Sequence, residues 1–351
     1  MHTLIISSDG SLSAFNAEFS ECYSSISEGA LGEKISKHIF PALLFLDSKW
    51  QSSIESSLGF CLDSSDLPKE SKKSQLKSSD FFGEKVALGD IWILDICFGL
   101  GYNAFLSALA FECLLQKYQK YFSQDNHNAS ATKKQPQKSP KLHIISLEND
   151  KTTLDLSREI FCIESSAWEN LARGKVAQIT PQITPNVDMQ ILWGEACEVL
   201  EKLDFGEMDL KQADFKNNDL KKSDFGGFDI VFQDPFSFEK NPTLWSLEHF
   251  KRLFSLTKNE CIITSYATKK EVLEMAKKAG FIPCKINPNQ INTKILDFVV
   301  SQNQSLLKQG FQTHLQNVLK NRFDFEALFR VKKRRQSSVF SKSETLLTTF
   351  A

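Results

Sequence analysis

Short apolar runs alternate with amphipathic segments along the middle of the chain. Five runs have the length and composition of buried strands, namely Ile91–Cys97, Leu142–Leu147, Met189–Trp193, Phe228–Gln233 and Cys261–Tyr266. Each is followed by apolar residues at helical spacing, namely in Asn103–Tyr118, Thr152–Cys162, Glu195–Leu203, Thr243–Leu256 and Lys269–Ala279. Five strand–helix units in succession predict an α/β fold with a doubly wound, mostly parallel sheet. Ligands of such sheets bind beyond the carboxyl ends of the strands, so the residues after the apolar runs are the candidates for function.

Polar segments that break this alternation suggest the domain organisation. We expect an N-terminal extension over residues 1–88 and an α/β domain over residues 89–351, with loop insertions at 119–141, 204–227 and 289–330. The first insertion is rich in Lys, Gln and Ser and is typical of a solvated loop, although its lysines could also contact a polyanion. A five-residue Asp-Leu/Phe repeat at 208–225 is too short for a stacked solenoid and is interpreted as an expanded loop. A helix is predicted at Ser305–Leu319, inside the third insertion.

Composition narrows the class of protein. Of the 351 residues, 41% are hydrophobic and 24% are charged, which is typical of a globular protein rather than a disordered chain. The net charge of −1 means that any contact with nucleic acid has to come from local basic patches. The eight cysteines form no CxxC pair and the six histidines are isolated, so the sequence predicts no metal site, no disulfide framework and no nucleophilic triad. Without a leader pattern or a long apolar segment, it predicts a cytoplasmic protein that does not enter a membrane.

A glycine-containing turn follows the first predicted strand. Gly99 and Gly101 lie between strand and helix, and the acidic Asp95 precedes them. Glycines let a ligand approach the backbone at such a turn, and the helix N-terminus favours an anionic group, which indicates a nucleotide-like cofactor. A nicotinamide fingerprint would need a glycine where Ala104 stands. The methyltransferase pattern of an acidic residue and then GxGxG fits better, with Cys97 in the place of its first glycine.

Two carboxylates follow the next two predicted strands. Glu148 ends the second strand, where a side chain can accept hydrogen bonds from both ribose hydroxyls of a nucleoside. Glu195 follows the third strand, where it could reach an adenine amino group or simply favour the start of the next helix. With the glycine turn, these positions predict a nucleoside-binding edge of the sheet.

Asp234-Pro235-Phe236 ends the fourth predicted strand. Methyl transfer to nitrogen needs a neutral amine with an aimed lone pair, and a carboxylate at this position can orient the N–H bonds. Proline fixes the turn, and the aromatic ring can flank a planar group. The three residues could also form only a turn. Their place at a strand end after the glycine turn favours Asp234 and Phe236 as the catalytic pair of an amine methyltransferase.

These motifs resemble a known family. The sequence after Phe236, with Lys240-Asn241-Pro242 and then Trp245, is similar to the tRNA 5-methylaminomethyl-2-thiouridine methyltransferases, the MnmC-type methyltransferase domain. Further segments resemble the family in order, namely Asp9–Ser11, Tyr23-Ser24, Gly29–Leu31 with Glu33, Phe98–Asn103, Ile145–Glu148, Leu192–Glu195, Ser265-Tyr266 and Ala279–Phe281. The chain departs from the family at Cys97, Pro235 and Glu195, which replace two glycines and an aspartate.

The resemblance implies a Rossmann-like class I methyltransferase that uses S-adenosyl-L-methionine to methylate the aminomethyl group of 5-aminomethyl(-2-thio)uridine at the tRNA wobble position. It implies a cofactor site made of Asp95, Gly99, Gly101, Asn103, Glu148, Glu195 and Asp234. The residues on the substrate side would be Tyr23, Glu33, Lys240, Tyr266, Lys333 and Arg334. The last two belong to the basic run Lys332–Arg335, which could hold tRNA phosphates or could be a solvated surface segment.

Some members of the family carry a fused FAD-dependent oxidase domain, and no segment of this chain matches it. We therefore expect a stand-alone methyltransferase that depends on a separate enzyme for its aminomethyluridine precursor. Two alternatives stay open at this point. One is methylation of another exocyclic or protein amine, and the other is a non-catalytic RNA-binding protein with a degenerate Rossmann-like domain.

Overall fold

The N-terminal part combines a small sheet with a helical segment. The computed structural model describes residues 2–57, 88–122, 139–158, 160–161, 163, 165–178, 184–204, 225–286, 328–332 and 347–348. Three antiparallel strands come first, namely β1 (His2–Ile6), β2 (Leu12–Asn16) and β3 (Glu21–Cys22). A π-helix at Ile35–Ile39 then joins α1 (Ala30–Lys34) to α2 (Phe40–Ser57). π-Helical turns are rare and occur frequently at functional sites.

A nine-stranded sheet forms the centre of the structure. Its five parallel strands are β4 (Ile91–Ile96), β5 (Leu142–Glu148), β7 (Val187–Trp193), β8 (Phe228–Gln233) and β9 (Thr257–Ser265). Antiparallel strands extend the two edges, namely β6 (Ala177–Gln178) beside β7, and β10 (Phe281–Ile286), β11 (Leu328–Lys332) and β12 (Leu347–Thr348) beyond β9. The strand order is β12-β10-β11-β9-β8-β4-β5-β7-β6. The predicted α/β fold with a mostly parallel sheet is confirmed.

Helices cover both faces of this sheet. They are α3 (Tyr102–Phe122), α4 (Thr152–Arg158), α5 (Ser165–Ala172), α6 (Ala196–Asp204), α7 (Leu247–Leu256) and α8 (Lys270–Lys278). One apolar cluster joins α2, α3 and α5 to one face, and a second joins α6, α7 and α8 to the other. Adjacent strand residues contribute to opposite clusters, as Ile93 and Leu94 do. Burial on both faces explains why the central strands are continuous apolar runs.

The strand order places the site. From β4 the chain adds β5 and then β7 on one side, and it later adds β8 and β9 on the other side of β4. A crevice forms at such a reversal beyond the carboxyl ends of the strands. Because β4 and β8 are neighbours, with Ile96 paired to Gln233, the turns that follow them at Cys97 and Asp234 meet in that crevice.

Several predicted boundaries were wrong, for local reasons. The helix predicted over Thr243–Leu256 is interrupted at Ser246, which separates a 3₁₀ turn at Pro242–Trp245 from α7. The Ser246 hydroxyl accepts a hydrogen bond from the His249 N–H at 3.2 Å. The helix predicted over Thr152–Cys162 ends at Arg158, and α5 was not predicted.

The predicted insertions are only partly described by the structure. Helix α3 continues to Phe122 and so occupies the start of the insertion predicted at 119–141. Strand β11 occupies the last three residues of the insertion predicted at 289–330. Of the five-residue repeat at 208–225, the structure describes only Phe225, and the helix predicted at Ser305–Leu319 lies outside the described residues. Among the helices that the structure describes, none is long and apolar enough to cross a bilayer.

Candidate functional site

A cavity of about 790 Å³ opens at the carboxyl ends of β4, β5, β7 and β8. The sheet side of its wall is formed by the turns after these strands, including Cys97, Glu148, Glu195 and Asp234. The other side is formed by the N-terminal segment, from Asn16 to Lys34. The cavity therefore lies between the sheet and the segment predicted to be an N-terminal extension.

The turn after β4 has the conformation expected for a ligand cradle. Gly99 and Gly101 have φ of 52° and 80°, in the left-handed region that favours glycine. Gly99 lines the cavity and has Tyr23 above it, so that a β-carbon at Gly99 would lie 3.2 Å from Cδ1 of that ring. Gly101 does not line the cavity; a β-carbon there would lie 2.6 Å from Phe105 and 2.7 Å from Phe98. Gly101 thus allows close packing behind the turn, and a direct contact with the cofactor stays a prediction.

Cys97 also has a left-handed backbone, with φ of 70°. A non-glycine residue in this region is strained, typically by about 1 kcal/mol or more. We expect Cys97→Gly to stabilise the protein by about 1 kcal/mol, because glycine adopts this conformation without the steric cost. Chemical denaturation of the two proteins measures the difference. A Cys97→Ala variant, which keeps a β-carbon and the strain, is the control, and a gain of stability equal to that of glycine would contradict the explanation.

Glu148 holds the cradle from the neighbouring strand. Its carboxylate accepts hydrogen bonds from the backbone N–H groups of Gly99 at 2.9 Å, Asn149 at 2.9 Å and Asp150 at 3.0 Å. Burial raises the pKa of Glu148 to about 7, although these hydrogen bonds oppose the increase. Glu195 lies across the cavity mouth and accepts a 2.7 Å hydrogen bond from the Asn149 side chain.

Asp95 lies beneath the cavity and does not line it. Its carboxylate is fully buried and accepts hydrogen bonds from Ser146 at 2.9 Å and from Asn103 at 3.5 Å. Burial raises its pKa to about 8, and the nearby Asp234 charge adds to the increase. Asn103, which lines the cavity, connects Asp95 to it, and a direct contact of Asp95 with the cofactor stays a prediction.

Asp234 is an anion fixed at the floor of the cavity. Its Oδ2 accepts hydrogen bonds from Lys34 Nζ at 2.6 Å and from Asn103 Nδ2 at 2.8 Å, and its Oδ1 lies 3.3 Å from His38 Nε2. Burial alone would raise the pKa of Asp234, but the charges of Lys34 and His38 outweigh burial and hold it well below its usual range. The carboxylate is therefore ionised at neutral pH and oriented by three side chains.

Lys34 and His38 were not predicted as site residues. His38 is fully buried, and its Nδ1 lies 2.7 Å from the Thr264 hydroxyl on β9. The two residues are four positions apart in the helical segment, where their neighbours Leu31, Ile35 and Ile39 are apolar. Charged and polar residues on one face of an apolar helix are unusual in a core, and this signal could have marked them.

The N-terminal segment also holds the residues after Asp234. Phe236 stacks on Phe19 with ring centroids 4.6 Å apart and lies 5.1 Å from Tyr23. Ser237 donates hydrogen bonds to Glu21 through its backbone N–H at 3.1 Å and its hydroxyl at 2.7 Å.

The C-terminal side of the site adds two more anchors to this loop. Tyr266 donates a 2.7 Å hydrogen bond to the carbonyl of Pro235, and Trp245 donates one of 2.8 Å to the carbonyl of Phe236. Burial raises the pKa of the Tyr266 hydroxyl, and the Asp234 charge reinforces this, so the phenol stays protonated.

The remaining predicted substrate-side residues divide into three groups. Tyr23, Glu33 and Tyr266 line the cavity. Lys240 is exposed outside it, and its backbone N–H closes a turn onto Ser237, so its role on the substrate side stays a prediction. Lys333 and Arg334 lie outside the described residues.

The donor set suits a nucleoside cofactor that carries an amino-acid tail. Asn103 is the decisive residue: its Nδ2 is bound to Asp234, while its buried Oδ1 has no hydrogen-bond partner within the described structure. A buried acceptor at the head of α3 fits an ammonium group, which would satisfy it. Gly99 brings the backbone of the turn close to the Tyr23 ring at the cavity wall, and Glu148 presents a carboxylate to the cavity from the adjoining strand.

Comparison with known proteins agrees with this geometry. Residues 174–289 match a protein family described as S-adenosyl-L-methionine-dependent methyltransferase. The matched region includes β7, β8 and β9 with the Asp234 turn. This chain contains an S-adenosyl-L-methionine-dependent methyltransferase domain. S-Adenosyl-L-methionine is accordingly its cofactor, as the resemblance of its motifs had implied.

The domain is similar to that of MnmC proteins. A segment of 238 residues is 25% identical to the tRNA 5-methylaminomethyl-2-thiouridine biosynthesis bifunctional protein MnmC of Campylobacter concisus (strain 13826), and it covers 66% of this chain. The same segment covers 32% of that protein, so the chain spans about a third of the length of its curated relative. Among solved structures, MnmC2 from Aquifex aeolicus is 16% identical over 91% of this chain and 85% of that one, with a TM-score of 0.47.

Proposed function

We propose that the protein methylates the aminomethyl group of 5-aminomethyluridine, with or without 2-thiolation, at the tRNA wobble position. The product would be the corresponding 5-methylaminomethyluridine. The observation that carries the proposal is Asp234, an oriented carboxylate on the floor of a cavity that also contains a nucleoside cradle. The relative from Campylobacter concisus is named for biosynthesis of the methylated nucleoside, which supports this choice of amine.

Residues at the ends of three neighbouring strands would hold the cofactor. Gly99 would lie under it, Glu148 would accept hydrogen bonds from its ribose, and Asn103 Oδ1 would accept one from its ammonium group. Glu195, which lines the cavity and accepts a hydrogen bond from Asn149, would contact the base. When bound, S-adenosyl-L-methionine supplies an electrophilic methyl group.

Asp234 and Phe236 would act on the amine. The carboxylate accepts a hydrogen bond from one N–H of a neutral amine, and this fixes the direction of the nitrogen lone pair. Phe236 and its partner Phe19 offer apolar ring surface on which a planar base that has left the anticodon stack can rest. Because Lys34 and Asn103 already occupy Oδ2, the substrate amine would share the buried Oδ1 of Asp234 with His38, whose Nε2 lies 3.3 Å away.

A second candidate function is methylation of an amine on a protein or a small molecule. Its support is the charge of the cavity wall, which attracts a cationic amine from any source. Seven carboxylates line the cavity, namely Glu18, Glu21, Glu33, Glu148, Asp150, Glu195 and Asp234. Two lysines, Lys34 and Lys151, also line it. Phosphates of a tRNA would be repelled from such a wall, so the proposed tRNA has to bind them elsewhere, for which the run Lys332–Arg335 is our candidate.

The organisation of the protein follows from the same proposal. Residues 1–88 would act as a substrate-side extension and residues 89–351 as the methyltransferase domain. We further propose that the protein depends on another enzyme that releases the primary amine on the tRNA.

Methyl transfer to defined substrates tests the proposal. The protein is incubated with S-adenosyl-L-methionine and an anticodon stem-loop RNA that carries 5-aminomethyluridine at the wobble position, and the nucleosides are then analysed by mass spectrometry. We expect a gain of one methyl group on this nucleoside and none on an RNA that carries 5-hydroxymethyluridine. If the cofactor binds and neither this RNA nor the intact tRNA is methylated, the tRNA assignment is wrong. Methylation of lysine peptides in its place would favour the second candidate.

A further inference from the structure

Lys34 places a buried cation beside the carboxylate that would receive the substrate. Its side chain is 6% exposed, and its Nζ lies 2.6 Å from Asp234 Oδ2 and 3.8 Å from Glu33 Oε2. It also lines the cavity. Burial alone would lower the pKa of Lys34, but Asp234 and Glu33 more than offset this and raise it, so the side chain remains an ammonium ion.

Ionisable groups on several elements of the structure surround Lys34 and Asp234. Glu33 lies beside Lys34 at the end of α1, and Asp234 follows β8. Further titratable groups act on Asp234 or Lys34 from the surrounding elements, namely His38, Asp95, Cys97 and Tyr266. Of these described groups, Lys34 is the one that carries a fixed positive charge in hydrogen-bond contact with Asp234.

A carboxylate without a neighbouring cation would make an amine a poorer nucleophile. An aliphatic amine is mostly protonated at neutral pH, and a nearby carboxylate favours the protonated form further. The ammonium ion has no lone pair; it must first lose one proton to solvent, and the electron pair of that N–H bond becomes the lone pair that attacks. A cation next to the carboxylate shifts this equilibrium toward the neutral amine.

We infer that Lys34 lowers the pKa of the substrate amine at Asp234 and so keeps that amine in its reactive, neutral form. The inference rests on the proposed function, since it places the amine at Asp234. An amine that hydrogen-bonds to Asp234 would lie roughly 5 Å from Lys34 Nζ, and at an effective dielectric constant of about 20 this corresponds to a shift of roughly two pH units. Lys34 is therefore a positioning residue that acts on the protonation state of the substrate.

The test compares variants that separate charge from hydrogen bonding. Lys34→Gln keeps an N–H donor for Asp234 and removes the charge, Lys34→Met removes both, and Lys34→Arg keeps both. Lys49→Met is the matched control, because Lys49 also pairs with a buried carboxylate, Asp229, at 2.7 Å, away from the cavity. Asp229 keeps Lys258 at 2.7 Å, so the control is expected to fold.

The bound amine is titrated directly. An anticodon stem-loop RNA carrying 5-aminomethyluridine with a ¹³C-labelled methylene is bound to each protein in the presence of S-adenosylhomocysteine, and the ¹³C shift is followed by NMR against pH. We expect the pKa of the bound amine to be higher in Lys34→Gln than in the wild type by about one pH unit or more, and unchanged in Lys34→Arg and Lys49→Met. The pH at which the single-turnover rate of methyl transfer is half-maximal should shift by the same amount.

Each outcome decides the inference. An equal amine pKa in the wild type and in Lys34→Gln overturns it, and Lys34→Met gives the same comparison should Lys34→Gln fail to fold. Loss of activity in Lys34→Gln with an unmoved midpoint would assign Lys34 a merely structural role and would also overturn it. If the wild type binds S-adenosylhomocysteine but leaves the ¹³C signal unchanged, the proposed function itself is wrong and the inference is overturned with it.

Discussion

Replacing Asp234 by asparagine is expected to lower kcat by about 10²- to 10⁴-fold while changing the Kd of S-adenosyl-L-methionine by less than about threefold. Asparagine has nearly the same shape but no charge. It therefore leaves Lys34 without its nearest counter-ion and offers a weaker acceptor to the substrate amine. Asparagine keeps an oxygen that accepts the hydrogen bond of Asn103, and the cofactor contacts proposed for Gly99 and Glu148 do not involve this carboxylate. Single-turnover methyl transfer and calorimetry with the cofactor measure the two quantities.

Asp229→Asn is the matched control for this change. Asp229 is fully buried and pairs with Lys49 and Lys258 at 2.7 Å each, so the substitution makes the same chemical change outside the cavity. We expect it to lower the free energy of unfolding and to leave kcat unchanged. A kcat that survives in Asp234→Asn would remove Asp234 from the mechanism, whereas an equal loss in both variants would indicate a general effect of destabilisation.

The affinity for S-adenosyl-L-methionine is expected to rise as the pH rises through about 7. Burial raises the pKa of Glu148 to about 7, so its carboxylate is mostly protonated at pH values clearly below this and mostly ionised above it. The ionised form is the stronger acceptor for hydroxyl donors. We expect Glu148→Gln to abolish this pH dependence and to weaken cofactor binding by about ten- to one-hundredfold, the usual effect of losing hydrogen bonds to a charged group.

Calorimetry of S-adenosyl-L-methionine binding between about pH 6 and about pH 8.5, a range that spans the pKa of Glu148, measures this pH dependence. Glu201→Gln is the control, since Glu201 is an exposed carboxylate on α6 whose partner is Arg252 at 3.5 Å. The affinity of the Glu201→Gln variant for S-adenosyl-L-methionine should equal that of the wild type at every pH. A flat affinity in the wild type would contradict the assignment of Glu148 to the cofactor ribose.

The parallel core of the fold was predictable because its strands are buried on both faces. The prediction for β8 matches the structure residue for residue. The antiparallel edge was not predictable by the same means, because β10 pairs with β11 about fifty positions further along, from Phe281 to Lys332. Such pairing depends on partners that a local pattern of apolar residues does not reveal.

The site was predictable as far as it is built from strand ends. Glu148, Glu195 and Asp234 meet at one cavity because the carboxyl ends of adjacent parallel strands share an edge. Lys34 and His38 were missed because they reach Asp234 from a helical segment about 200 positions earlier in the chain. The full burial of Asp95 was not predictable either, because sequence does not tell a strand residue that points into the core from one that points into the cavity.

Tyr23 lies between the glycine turn after β4 and the Phe236 ring. Its ring lies over Gly99 on one side and 5.1 Å from Phe236 on the other, and its hydroxyl is held by His2 at 2.9 Å and Asn16 at 3.1 Å. A ligand that displaces this ring from either side changes the space available on the other. The two binding equilibria are then thermodynamically linked. If the cofactor changes the affinity for the amine by a certain factor, the amine changes the affinity for the cofactor by the same factor.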